Sequence, residues 1–167
     1  MTFACLGLGS NLGDSFKTLK DAVACLQEED SVQLDKCSPC YESKPWGQEN
    51  QPDFLNAVIG IHTQLPADEL LSCLQAIELR FMRERTEKWG PRTLDIDILC
   101  YGNLQQTDPA LILPHPYFSE RDFVLVPLHE IYPHLKISDR PVSEWLTLYL
   151  DHFPDRPLPE KLTATLI

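Results

Sequence analysis

The chain has 167 residues, 43% of them hydrophobic and 23% charged, which is enough to bury a core without disulfide or metal staples. A formal net charge of -11 excludes general affinity for nucleic acid or an anionic membrane, so an anionic ligand requires a local basic site. No basic residue precedes Lys17, which argues against a secretory signal, and no apolar run approaches the ~18 residues of a membrane span. The expectation is a cytoplasmic protein forming one domain over residues 1–167, with its six cysteines reduced.

Residues 2–8 read as a buried strand, broken by the turn from Gly7 to Gly13, after which Asp14 or Ser15 caps a helix. Phe16, Leu19, Ala22, Val23 and Leu26 share one face of that helix. Residues 32–41 read as a strand and 42–53 as a long exposed loop. Leu55, Ala57, Ile59 and Ile61 then alternate with Asn56, Val58, Gly60 and His62, the period of a strand with one face on the core. No helix fits between these two strands, which predicts antiparallel neighbours.

Pro66 opens a second helix with a stripe of Leu70, Leu71, Leu74, Ile77 and Phe81. Leu94, Ile96, Ile98 and Cys100 alternate with Asp95, Asp97, Leu99 and Tyr101 in a fourth strand. The order βαββαβ predicts an α+β, ferredoxin-like fold whose antiparallel sheet carries helices on one face. Nine of the fourteen prolines lie from Pro109 onward. A Pro-rich loop is expected over 109–122, extra C-terminal helices near 123–131 and 142–150, and then an irregular tail.

Asp95 and Asp97, two apart on a strand, leave the same face with Cα atoms ~7 Å apart and suit a shared site for Mg²⁺. A solvated polar face is the plainer reading of that pair alone. From Arg80 to Arg92, however, five basic residues (Arg80, Arg83, Arg85, Lys88, Arg92) meet only two acidic ones. Such a segment suits a polyphosphate whose metal sits on the carboxylates. His115, Arg121 and Phe123 lie in a Pro-constrained loop, where His115 is able to reach a phosphate and Phe123 to stack on a flat ring, although each taken alone is more often packing or surface. Asn56 has an amide able to read a heterocycle edge or to bond a turn. Gly7, Gly9 and Gly13 only weakly resemble a dinucleotide fingerprint, and Cys37 and Cys40 have redox or zinc spacing without a second pair to complete a site.

The strings Gly9-Ser-Asn-Leu-Gly13, Tyr41-Glu-Ser43, Gln51-Pro-Asp-Phe-Leu-Asn-Ala57, Trp89-Gly-Pro-Arg-Thr-Leu-Asp-Ile-Asp-Ile-Leu99 and Leu113-Pro-His-Pro116, with Arg121-Asp-Phe-Val-Leu125, together resemble the 6-hydroxymethyl-7,8-dihydropterin pyrophosphokinases of folate biosynthesis. The likeness covers about residues 2–135 and leaves 136–167 as an accessory segment. It implies transfer of diphosphate from ATP to the pterin, with two Mg²⁺ on Asp95 and Asp97, in a monomer with small-molecule substrates as its partners. By the same resemblance Arg83, Arg92, Asp95 and Asp97 are catalytic. Gln75, Arg83, Arg85, Trp89, Arg92, Ile98, His115 and Arg121 are implied to bind ATP. Gly9, Ser43, Lys44, Trp46, Phe54, Asn56, Asp95 and Phe123 are implied to bind the pterin, with Phe54 and Phe123 sandwiching it. Three alternatives stay open: a Mg²⁺-dependent nucleotidyltransferase, a noncatalytic nucleotide- or pterin-binding module, and a dinucleotide-dependent oxidoreductase, the last disfavoured by strand order.

Overall fold

Strand β1 (Thr2–Ser10) runs past its expected end, because Gly9 and Ser10 still pair with Asn56 and Leu55. The computed structural model describes residues 1–46, 50–81 and 92–167. Helix α1 (Ser15–Gln27) is capped by Asp14, whose carboxylate accepts the Lys17 N–H at 3.0 Å, and it buries Leu19, Ala22, Val23 and Leu26. The strand expected over 32–41 is two strands, β2 (Val32–Cys37) and β3 (Pro39–Ser43). The break is chemical. Ser38 N–H donates to Val58 O and Ser38 Oγ accepts Val58 N–H, each at 2.9 Å, while Pro39 has no N–H to offer. Pairing continues to Ser43, so the loop begins later than expected.

Both pieces pair antiparallel with β4 (Phe54–Thr63), and α2 (Ala67–Arg80) then leads to β5 (Asp95–Tyr101). β4 lies between β1 and β2, and β1 lies between β4 and β5, so two split βαβ units interlock. This is the expected ferredoxin-like core. Helices α1 and α2 close one face, where Leu6, Leu8, Ile59, Ile61, Leu70, Leu74, Ile96 and Ile98 share a core.

The extra C-terminal helices cover the opposite face of the sheet. A second core of Cys5, Val58, Leu99, Leu125, Leu128, Val142 and Tyr149 lies under α3 (Asp122–Ile131) and α4 (Val142–His152). Val58 and Gly60 are not polar, so this face of β4 is free to take an apolar cover. Cys100, expected beside Ile98, belongs to that second core. The β1–β5 pairing steps from Leu6↔Ile98 to Cys5↔Cys100, and the extra residue, Leu99, reverses the side on which its successor emerges.

The segment expected as a Pro-rich loop contains a hairpin, β6 (Gln106–Asp108) with β7 (Leu111–Leu113), and a 3-10 turn over Phe118–Glu120. A second hairpin, β8 (Lys136–Ile137) with β9 (Arg140–Pro141), precedes α4. The expected irregular tail forms β10 (Glu160–Thr165), which extends the sheet along β3. Glu130 of α3 ties these strands together by accepting the Tyr41 hydroxyl and pairing with Lys161 at 2.5 Å. All six cysteines are free, and burial pushes the Cys37 and Cys40 thiols up to about 11, so neither is a thiolate at neutral pH. Among the described residues no helix is long and apolar enough to cross a membrane.

Gly60 is fixed by space. A Cβ there would meet Tyr132 Cζ at 2.6 Å. That ring is held by a 2.5 Å bond from its hydroxyl to Asp35 and by edge contact with Phe3 at 5.2 Å. Gly60→Ala is expected to destabilise the fold by about 1–3 kcal/mol, read as a lower urea midpoint at unchanged m. An unchanged midpoint would show that the ring yields freely.

Candidate active site

Alternating strand directions bring the end of β1, the starts of β4 and β5 and the end of β3 to one end of the sheet. Asn56, Gly9 and Asp95 form one row across three strands, and Val58, Gly7 and Asp97 form the next. In-register residues share a face, so both carboxylates and the Asn56 amide rise from the face that α3 and α4 cover further along. Gly9 keeps the floor low between them. A Cβ there would lie 3.3 Å from Asn56 Oδ1 and 3.8 Å from Phe54 Cδ1.

Cations converge on the carboxylates. Arg92 pairs with Asp95 through Nη1 and Oδ2. Arg121, at the start of α3, reaches Asp97 Oδ2 at 3.3 Å, and His115 Nε2 lies 3.6 Å from the same oxygen. Burial, and then the charge of Asp95, raise the Asp97 pKa; Arg121 and Arg92 oppose them, and the carboxyl is pushed up to about 6. Its side chain still keeps 36% of its surface open, so that face remains accessible.

Arg121 is buried beneath aromatic rings, with its guanidinium carbon 4.8 Å from the Trp46 ring centroid and 5.7 Å from those of Tyr117 and Phe123. Burial pulls its pKa down while Asp97 and Asp95 push it back, and it stays a cation. His115 is pushed down to about 4 by burial and by the Arg121 charge, so it is neutral at pH 7. Its Nδ1 accepts the Tyr117 N–H at 3.1 Å, which leaves the ring proton on Nε2, facing Asp97.

On the other flank, Asn56 Nδ2 donates to Ser43 Oγ at 2.8 Å. Arg92 lies over the Phe54 ring at 5.8 Å, and Trp46 packs on Tyr117 with ring centroids 5.7 Å apart. Thus the structure gathers Gly9, Ser43, Trp46, Phe54, Asn56, Arg92, Asp95, Asp97, His115, Arg121 and Phe123 at one end of the sheet. Three expected residues stand elsewhere. The Lys44 ammonium is exposed and pairs with Asp53 at 2.7 Å, because the loop base offers it a carboxylate. Gln75 is exposed on α2. The Ile98 side chain is buried in the first core, on the opposite face from the aspartates, as strand alternation demands. Arg83, Arg85 and Trp89 lie outside the described residues.

The family model described as 7,8-dihydro-6-hydroxymethylpterin-pyrophosphokinase (HPPK) matches residues 5–133. The chain belongs to this family. A relative from Methylorubrum extorquens named 2-amino-4-hydroxy-6-hydroxymethyldihydropteridine pyrophosphokinase is 44% identical over 146 residues, covering 87% of this chain and 92% of the relative. One of the same name from Aquifex aeolicus is 41% identical over 147 residues, covering 87% of this chain and 91% of its own length. The wild-type HPPK-DHPS crystal structure from Plasmodium falciparum aligns with a TM-score of 0.72 at 14% identity, which shows the shared fold. It covers 92% of this chain, and this chain spans 46% of that longer one.

Three residues of this HPPK chain escape the sequence reading. Glu78 is only 3% exposed, and its Oε1 accepts the Ile96 N–H at 2.7 Å, so it fixes the backbone between the two aspartates. A carboxylate on the apolar stripe of α2, four residues after Leu74, is the signal that points to it. Tyr117 roofs Arg121 and sits next to the expected His115 loop. Asn11, inside a string read only as a turn, bonds two separate segments.

The donor set fits magnesium. Two hard carboxylate oxygen ligands with one open flank suit an ion that completes its shell with water and phosphate oxygens, and a cation offsets the burial and the Asp95 repulsion that raise Asp97. Its consequence for stability in metal-free protein has a definite sign. Asp97 is raised above the usual 3.8, so the folded state binds more protons between 3.8 and about 6, and this carboxyl's contribution to stability falls as pH rises through that window. Asp97→Asn, followed by urea unfolding in chelator, should therefore gain on the wild type between pH 4 and pH 7. A difference that is flat with pH would contradict the raised carboxyl.

Proposed function

We infer that the chain transfers diphosphate from ATP to the hydroxymethyl oxygen of 6-hydroxymethyl-7,8-dihydropterin, releasing AMP and the pterin diphosphate. The observation that carries this reading is one sheet end where a carboxylate pair, two arginines and two phenylalanines meet, in a chain of the HPPK family. In the reaction the substrate oxygen forms a bond to the β-phosphorus. The bond from that phosphorus to the oxygen bridging the α-phosphate breaks, AMP departs with the bridging oxygen, and the hydroxyl proton is released.

Asp95 and Asp97 would hold two Mg²⁺, which supply charge neutralisation on the phosphates and lower the pKa of the attacking hydroxyl. Arg92 and Arg121 are the fixed cations for charge on the moving group, and they are already oriented by the carboxylates they touch. His115 gives an uncharged N–H donor at Nε2, and its low pKa keeps that state constant across the neutral range. Trp46 and Tyr117 shield Arg121 from water, which strengthens its field and disfavours hydrolysis of ATP.

Phe54 and Phe123 offer flat faces to the pterin, and the Asn56 amide, oriented by Ser43, reads its polar edge. By the same reading Arg83, Arg85 and Trp89 bind ATP. The molecule works as a cytoplasmic monomer on small-molecule substrates. Its net charge of -11 opposes polyanionic partners, so the local cations are reserved for ATP.

Incubation with ATP, Mg²⁺ and the dihydropterin should give AMP and pterin diphosphate in equal amounts by chromatography, with none when the pterin is omitted. Asp95→Ala and Asp97→Ala should each lower turnover by at least roughly 10³-fold while the circular dichroism melt stays near wild type. Nucleotide binding without either product would instead favour a noncatalytic module, and release of free pyrophosphate would favour a nucleotidyltransferase.

A further inference from the structure

Asn11 follows the last residue of β1 and is only 5% exposed. Its carboxamide uses both donors on one segment, with Nδ2 giving bonds of 3.1 Å to Gln51 Oε1 and 3.0 Å to Pro52 O. Its acceptor serves another, since Oδ1 takes the Arg92 N–H at 2.9 Å. The Asn11 main-chain N–H returns a bond of 3.1 Å to Arg92 O, so Arg92 is gripped on both of its peptide groups. The first segment runs directly into Phe54 and Asn56, and the second carries the guanidinium that pairs with Asp95.

We propose that Asn11 is a positioning residue that couples the two substrate half-sites: it locks the pterin-facing segment at Gln51 and Pro52 to the phosphate-facing residue Arg92. This rests on the two-substrate reaction proposed above and adds to it a single buried side chain through which each half-site feels the other. No other side chain has the chemistry to do this at the same size. The task needs two donors and an acceptor on one short planar group, and Asp, its isostere, has no donor. Asp still accepts the Arg92 N–H. Gln51 can turn its amide to donate, whereas Pro52 offers only a carbonyl, which a carboxylate oxygen repels. Asn11→Asp therefore keeps the grip on Arg92 and breaks the link to the strand that carries Phe54. These part-buried hydrogen bonds converge on one buried side chain, so a shift of Arg92 on binding phosphate is passed to Pro52.

The test is a binding cycle by titration calorimetry: pterin affinity with and without Mg²⁺ and α,β-methylene-ATP, an analogue in which the scissile bridge is carbon. In wild-type protein the nucleotide should tighten pterin binding by roughly tenfold, and by reciprocity the pterin should tighten nucleotide binding equally. Asn11→Asp should bring this ratio to about one, while nucleotide affinity measured without pterin changes by less than about threefold. A purely structural role would weaken both ligands alike and leave the ratio intact. Should Asn11→Asp fail to fold, Gln51→Ala removes the half-buried bond from Asn11 Nδ2 to Gln51 Oε1, and it should reduce the ratio by roughly threefold. A wild-type ratio of one, or an unchanged ratio in the variant that folds, overturns the coupling while leaving the reaction in place. A wild-type protein that binds both ligands yet forms no product under turnover conditions overturns the proposed reaction instead. One that binds neither overturns both.

Discussion

Two carboxylates spaced two apart on an edge strand must share a face, and at the start of β5 that face is partly enclosed. Burial, and after it the nearness of the Asp95 charge, disfavours the ionised form, which is why Asp97 takes its proton far more readily than a solvated aspartate. Much of the surrounding structure follows from this conflict. Arg92 and Arg121 each take one aspartate, and Glu78 fixes the intervening peptide from the sheet edge through the Ile96 N–H. The enclosing walls leave one open flank, where a cation and the oxygens of a phosphate can finish the neutralisation that the arginines begin.

Topology decides what else can stand beside that pair. Interlocked split βαβ units put the end of β1 between the starts of β4 and β5, so Asn56 and Asp95 become neighbours across Gly9 although 39 positions of sequence separate them. A side chain at position 9 would press on the Asn56 amide and come into contact with the Phe54 ring. Low relief in that row therefore matters as much as the charged residues around it, since a flat ring and a phosphate chain have to share one shallow floor.

The parts legible in the sequence are those where one physical signal acts alone. Helix α1 shows a cap and a single apolar face, and the Asp-x-Asp strand shows its alternation plainly. The basic run before it stands out against an acidic chain. Where two signals compete, the reading slips. Residues 32–41 look like one strand because nothing in periodicity shows Ser38 Oγ standing in for a backbone acceptor. Leu99 looks like an ordinary member of its alternation, yet it is the extra residue that sends Cys100 to the other face. The second face of β4 reads as polar because Asn56 and His62 bracket Val58 and Gly60, and only tertiary cover from α3 and α4 reveals a core there. Asn11 illustrates a different limit. Its residue type fits any turn, and its value comes from partners 40 and 81 positions away.

The second layer of helices also bears on the chemistry. Arg121 and Phe123 flank Asp122, whose buried carboxylate accepts the Tyr149 hydroxyl at 3.1 Å and lies 3.5 Å from Arg156 Nε. Those partners come from α4 and from the segment beyond it, so the start of α3 is pinned by residues outside the 5–133 family match. A guanidinium that is 10% exposed and sits 3.3 Å from a carboxylate is sensitive to small rotations of the backbone that carries it. Segments without a ligand-facing side chain can thus govern how well charge is met at the reacting centre. The C-terminal third contributes by holding Arg121 still in a dry, aromatic setting, where its field on a phosphate is far stronger than the same charge would exert in water.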